Sequence, residues 1–226
     1  MRYIFFTMKA NRTGLYPTDA LSERIADGAV HAIGVLAAIT GAILLISWSV
    51  FHASEGQILA IAIYGATLIA TFAASAFYHL TPWDSIRPLL RRFDHAAIYL
   101  KIAGTYTPLV VMIGNGFAYL VLGVVWTLAV VGVVLKLFFW RTPGRFGPVL
   151  YLIMGWLSLA LIWSLWPIVP LSAMILIGVG GLLYTAGVPF YATHTMKYST
   201  AIWHGFVLAA SACFFAAIAI GAASMV

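Results

Sequence analysis

Four histidines, an aspartate and a lysine stand in stretches that are otherwise almost free of charge. They are His31, His79 in Ser75-Ala-Phe-Tyr-His79, the run from Asp94 and His95 through Lys101 to Gly104-Thr-Tyr-Thr-Pro108, and His204 in Thr200-Ala-Ile-Trp-His204. An ionisable group at bilayer depth costs about 2.5 to 3.5 kcal/mol on insertion scales, so it persists when it has a partner or a task. Ser75 and His79 are four residues apart and share one helical face, as do Thr200 and His204. Imidazoles from two or more helices beside a carboxylate form a ligand set suited to zinc, with nitrogen at about 2.0 to 2.1 Å and a position left for water. Such an ion lowers the pKa of its water to about 7, and Asp94 is the carboxylate able to accept the proton. The alternative is that these histidines only hydrogen-bond between helices and hold a bundle together. His95 points about 100° away from Asp94 around a helix, which sets it beside the site rather than in it. Lys101, two turns deeper on nearly the same face, can pair with Asp94 through water, attract a lipid head group or snorkel within the bundle.

The elements that carry these residues follow from composition. The chain of 226 residues is 63% hydrophobic and 8% charged, with a mean hydropathy of +1.02. Those values belong to a polytopic membrane protein. Apolar runs near the length needed to cross a bilayer fall at roughly 28–51, 57–80, 94–113, 117–140, 147–166, 169–190 and 200–223. This predicts an all-α integral membrane protein, a bundle of seven transmembrane helices in one domain (28–226), preceded by a soluble segment over 1–27. The apolar piece from Tyr3 to Phe6 is too short for a signal-peptide core, so no cleaved signal is expected.

Basic residues alternate between ends. Arg2, Lys9, Arg12 and Arg24 precede the first span, Arg87, Arg91 and Arg92 lie in the second loop, Lys136, Arg141 and Arg145 flank the fourth, and Lys197 lies in the sixth. The other loops and the C-terminus have none. The positive-inside rule then puts the N-terminus in the cytoplasm and the C-terminus outside, with His31, His79, Asp94 and His204 all in the cytoplasmic leaflet. His52 and His194 fall in loops and read as surface residues. The net charge of +6 is spread over these clusters rather than along one basic face, which speaks against nucleic acid. A lone Cys213 excludes an intramolecular disulfide framework.

With these residues in place, the chain resembles the bacterial hemolysin III family, itself similar to the progestin and adipoQ receptors that include the adiponectin receptors. The likeness rests on Glu23 with Asp27-Gly-Ala-Val-His31-Ala-Ile-Gly34, on Ser75-Ala-Phe-Tyr-His79, on Asp94 with Ile102-Ala-Gly-Thr-Tyr-Thr-Pro108, and on Ala201-Ile-Trp-His204-Gly-Phe-Val207. It implies seven spans in a bacterial inner membrane and a zinc site near the cytoplasmic face. His79 and His204 then stand at ligand positions, with Asp94 holding the zinc-bound water and Ser75 beside it. Where the family commonly has histidines, this chain has Thr200 and Phe214. A threonine hydroxyl is a poor zinc ligand, so the site depends on Asp94, water or another histidine such as His31 to complete the coordination, with Thr200 a weak further candidate.

The expected activity is a zinc-dependent hydrolase of lipid amide or ester bonds, ceramide-like, with Asp94 as base and Ser75 as hydrogen-bond donor. Membrane lipids are the expected partners. The alternatives are a non-enzymatic sensor or regulator of lipid composition or fluidity, and a channel or cytolytic protein.

Overall fold

In a computed structural model the described residues, 20–139, 146–193 and 196–226, are almost wholly helical. In chain order the elements are α1 (Leu21–His52), α2 (Glu55–Leu80), α3 (Arg87–Ile113), α4 (Gly116–Phe138), α5 (Phe146–Trp156), a 3-10 turn (Leu157–Leu161), α6 (Ile162–Leu165), α7 (Leu171–Ala192) and α8 (Ser199–Ala223). Six of these helices are long and apolar enough to cross a membrane, and a shorter apolar stretch runs over Val149–Leu165. His194, Trp140, Arg141, Arg145 and all but Ala20, Arg24 and their neighbours from Leu21 to Asp27 in the N-terminal segment lie outside the described residues.

Local chemistry sets the helix ends. The Glu23 carboxylate accepts from the Ala20 amide at 3.1 Å, and Gln57 does the same for Ser54 at 3.0 Å, so each caps a first turn. Asn115 accepts from Ala118 N at 2.9 Å to open α4. Gly114, at φ +68°, closes α3 in the left-handed conformation that favours glycine.

Two boundaries differ from the sequence expectation. α1 starts at Leu21, so the polar turn read as a soluble lead-in is its first two turns, and Asp27 sits on the helix. Capping by Glu23 outweighs the low hydropathy there. The fifth apolar run is not one α-helix but α5, a 3-10 turn and α6. Tyr106 of α3 donates its hydroxyl to the Met154 and Gly155 carbonyls at 2.7 and 3.0 Å, and Ser158 Oγ donates to Gly155 at 2.8 Å. These bonds occupy the acceptors that Ser158 N and Leu159 N would use in an α-helix.

Neighbouring helices pack in sequence order, α1 on α2, α2 on α3, α3 on α4 and α7 on α8, and α1 returns against α8 to close the bundle. α3 is central, touching α2, α4, α5, α6 and α8. Its apolar window is 67% buried, against 17% to 39% for the other long helices, although its hydropathy is the lowest of the six at 1.5. The polar residues of α3 therefore face protein rather than lipid. Trp83, Trp163 and Trp166 remain exposed near helix ends, as interfacial anchors do.

At Gly104 α3 packs closely on α2, so that a Cβ there would collide with Thr67 Oγ1. Gly104→Ala is expected to lower stability by about 1 to 3 kcal/mol through overpacking. Gly123→Ala, with nothing within 4 Å of the added carbon, is expected to be silent. Thermal unfolding of the detergent-purified variants checks both.

Candidate metal centre

Three helices bring four metal-ligating side chains together at the end of the bundle where α1 and α8 begin and α2 ends. Asp27 and His31 lie four apart on α1, so the helical repeat aims them the same way. His79 is next to last on α2, and His204 is in the second turn of α8. One ligand atom from each of the four lies within 4.8 Å of every other. The side chains are 13% (Asp27), 2% (His31), 16% (His79) and 11% (His204) exposed, so the group is largely dry.

Asp27 is the hub. Its Oδ1 accepts from His204 Nδ1 at 2.7 Å and lies 3.5 Å from His31 Nδ1, while its Oδ2 lies 3.4 Å from His79 Nδ1. The rings crowd one another as well, with centroid separations of 4.3 to 5.0 Å among His31, His79 and His204.

Hydrogen-bond partners fix two tautomers. A carbonyl only accepts, so His31 Nδ1 must donate to the Asp27 carbonyl 2.8 Å away. Its Nε2 lone pair is then left to accept from Ser75 Oγ at 3.2 Å or to bind a cation. By the same reasoning His204 donates from Nδ1 to the Asp27 carboxylate and keeps Nε2 as a lone pair. A carboxylate that orients imidazoles through their N–H groups is a recurring companion of metal-bound histidine. Tetrahedral donors about 2.0 to 2.1 Å from an ion are about 3.4 Å apart, within the 4.8 Å spread found here, and three imidazoles with one carboxylate suit a divalent transition metal. The residues fit a metal ion.

The structure thus brings His79 and His204 together and adds His31 as the third imidazole. The carboxylate among them is Asp27, where the sequence had offered Asp94. Asp94 is buried and shares a cavity wall with His79, His204 and Ser75, but it is not one of the four mutually close residues. Thr200 lines the same cavity one turn before His204. His95 is also in the wall, with Tyr191 OH 3.4 Å from its Nε2. His52 ends α1, exposed, with Nδ1 donating to Trp48 O at 2.8 Å. Hydropathy places Asp27 in a soluble segment and so hides its membership of this group, yet its i, i+4 spacing to His31 is present in the sequence.

His31, His79 and His204 of the group line one end of a cavity of about 430 Å³ that runs between α2, α3, α5 with the 3-10 turn and α6, α7 and α8. Away from the histidines its wall is mostly apolar, including Ile98, Ile102, Leu109, Leu165, Ile177 and Phe214. It combines a polar, cation-competent end with an oily interior, as a site for an amphiphile would.

A sequence model of a family described as "Haemolysin-III related" matches residues 21–215, nearly all of the described chain. The chain is 34% identical over 199 residues to Hemolysin-3 of Bacillus cereus, covering 88% of this chain and 91% of that protein. It is 34% identical over 196 residues to the Hemolysin-3 homolog of Bacillus subtilis (strain 168), covering 86% and 92%. A weaker similarity, 26% over 223 residues, extends to the monocyte to macrophage differentiation factor of Homo sapiens, covering 95% and 90%.

Proposed function

The chain belongs to the haemolysin-III related family, and on that premise we propose that its Asp27, His31, His79 and His204 hold zinc and that it hydrolyses amide or ester bonds of membrane lipids. The observation that carries this reading is that three imidazoles of a four-donor group line a largely apolar cavity. A structural metal would need no such cavity, and an interhelical hydrogen-bond network would need no such density of lone pairs.

Bound there, zinc supplies a Lewis acid that polarises a carbonyl and acidifies water. The chain's own residues do the rest. Asp27 holds the His204 ring through Nδ1, and its main-chain carbonyl holds His31. Asp94, buried in the adjoining wall, receives the proton taken from water. Ser75, beside His31, offers a hydroxyl to the charge that develops on the carbonyl oxygen. The apolar wall takes the acyl chain and excludes bulk water.

The family's membrane character and the charge pattern support the wider setting. The protein is a multi-pass membrane protein, and in this proposal it crosses the bacterial inner membrane seven times, counting the broken α5–α6 segment as one crossing. Arg24, Arg87, Arg91, Lys136 and Lys197 all belong to the same ends of the helices as the histidine group, which supports a cytoplasmic N-terminus and site.

Elemental analysis of protein purified without chelator tests the metal. About one zinc per chain is expected, and a loss of it in His79→Ala while the fold survives. A chain that stays metal-free after expression and purification with added zinc would overturn the reading and leave the imidazoles as interhelical hydrogen-bond partners.

A further inference from the structure

Deeper in the same cavity the wall carries a second polar group. Lys101 lies seven residues beyond Asp94 on α3, about 10 Å further along the helix axis. It is 6% exposed. Its Nζ donates to Ser211 Oγ at 2.6 Å and lies 5.0 Å from the ring centroids of both Phe72 and Tyr184. Ser211 gives its own proton to the Val207 carbonyl at 2.6 Å, which leaves its oxygen to accept from Lys101 and from the Tyr184 hydroxyl at 3.0 Å.

Among the described residues every partner of this ammonium is therefore neutral, and no carboxylate comes within ion-pair distance of it. An ammonium has three donors, and Ser211 takes one. Aromatic faces moderate a buried positive charge but accept no conventional hydrogen bond. A buried cation in an apolar wall without a counter-charge is costly, and a ligand that brings the counter-charge recovers that cost.

We propose that Lys101, backed by Ser211 and Tyr184, is the binding site for the carboxylate of a long-chain fatty acid whose alkyl chain lies in the apolar part of the cavity. Two carboxylate oxygens match the two unused donors, and one negative charge matches one ammonium. Beyond Lys101 the wall offers Leu109, Leu165, Met174, Ile177 and Phe214 to the chain. The binding stands on this geometry alone. That the fatty acid is the released product of the enzyme rests on the hydrolase reading above, since cleaving a lipid amide or ester yields a carboxylate.

Binding of radiolabelled palmitate and hexadecanol to the protein in lipid nanodiscs, each with and without a metal chelator, tests the site. The protein is expected to prefer palmitate by on the order of tenfold, with chelator present or absent, because a hydrogen bond to a charged group is at stake. Lys101→Met is expected to erase that preference, and His79→Ala to leave it. Equal binding of the two ligands, or a preference that survives Lys101→Met, overturns the proposal. A preference that survives Lys101→Met and vanishes with chelator would put the carboxylate on the metal group, overturning the subsite and leaving the hydrolase reading intact. A Lys101-dependent preference in a protein that binds no zinc would do the reverse.

A second measurement needs no variant. A membrane-soluble carbodiimide adds the bound carboxyl to give an O-acylisourea; a neighbouring lysine nitrogen, once deprotonated, attacks its acyl carbon to form an amide, and the carbodiimide leaves as the urea, having taken up the elements of water. Mass spectrometry is expected to find the palmitoyl group on the peptide carrying Lys101. Labelling confined to other lysines overturns the assignment.

Discussion

His204→Ala and Asp27→Asn are each expected to strip the metal and with it all lipid turnover, through different losses. The first removes an imidazole that reaches the group from α8. The second removes the carboxylate charge that lies against three imidazoles and the acceptor that His204 Nδ1 contacts at 2.7 Å. Replacing a residue that only orients a ligand costs about 10- to 100-fold in metal affinity, so a change to the donor set itself is expected to exceed that. The fold is expected to survive. Leaving a buried donor or acceptor unpaired costs about 1 to 3 kcal/mol, while α1 against α2 and α7 against α8 form extensive interfaces along the whole bundle. Zinc content and turnover of a fluorogenic ceramide analogue, measured on the same preparation, check the pair. Asp27→Asn with full zinc content would show that this carboxylate is not needed to hold the ion.

That Asp27 and not Asp94 is the carboxylate among the imidazoles also marks where sequence reasoning stops. Composition and the spacing of apolar runs make the helical membrane bundle plain, because apolar segments of this length have few other stable forms. The pairing of His79 with His204 was legible too, since one ends and the other begins an apolar run at the end of the bundle where the basic residues gather. Three features were not. The start of α1 depends on a Glu23 cap that hydropathy cannot see. The 3-10 break between α5 and α6 coincides with Tyr106, some 50 residues earlier, reaching Met154 and Gly155. The partner of Lys101 is Ser211 on α8, 110 residues away, rather than Asp94 on its own helix. Each is a tertiary contact that no local pattern encodes. His31 lies between these cases. Its i, i+4 relation to Asp27 is local and visible, but that α1 packs against α8 and so replaces the imidazole absent at Thr200 emerges only from the closed bundle.

Asp94→Asn is expected to separate the two carboxylates. Asp94 is buried on the central helix and faces the cavity with Ser75, His79 and His204, yet it stands outside the four-donor group. An amide in its place preserves shape and loses the ability to take a proton. Zinc content is therefore expected to stay near that of the unmodified protein, while turnover falls by about 100- to 10,000-fold, the usual contribution of a positioned general base. The same substitution at position 27 is expected to lose both. If Asp94→Asn loses zinc as fully as Asp27→Asn, Asp94 belongs to the ligand set. If it keeps both zinc and turnover, the proton acceptor is another group at the histidine end of the cavity, and Asp27, already shared among three imidazoles, becomes the carboxylate that must serve both as orienting acceptor and as base.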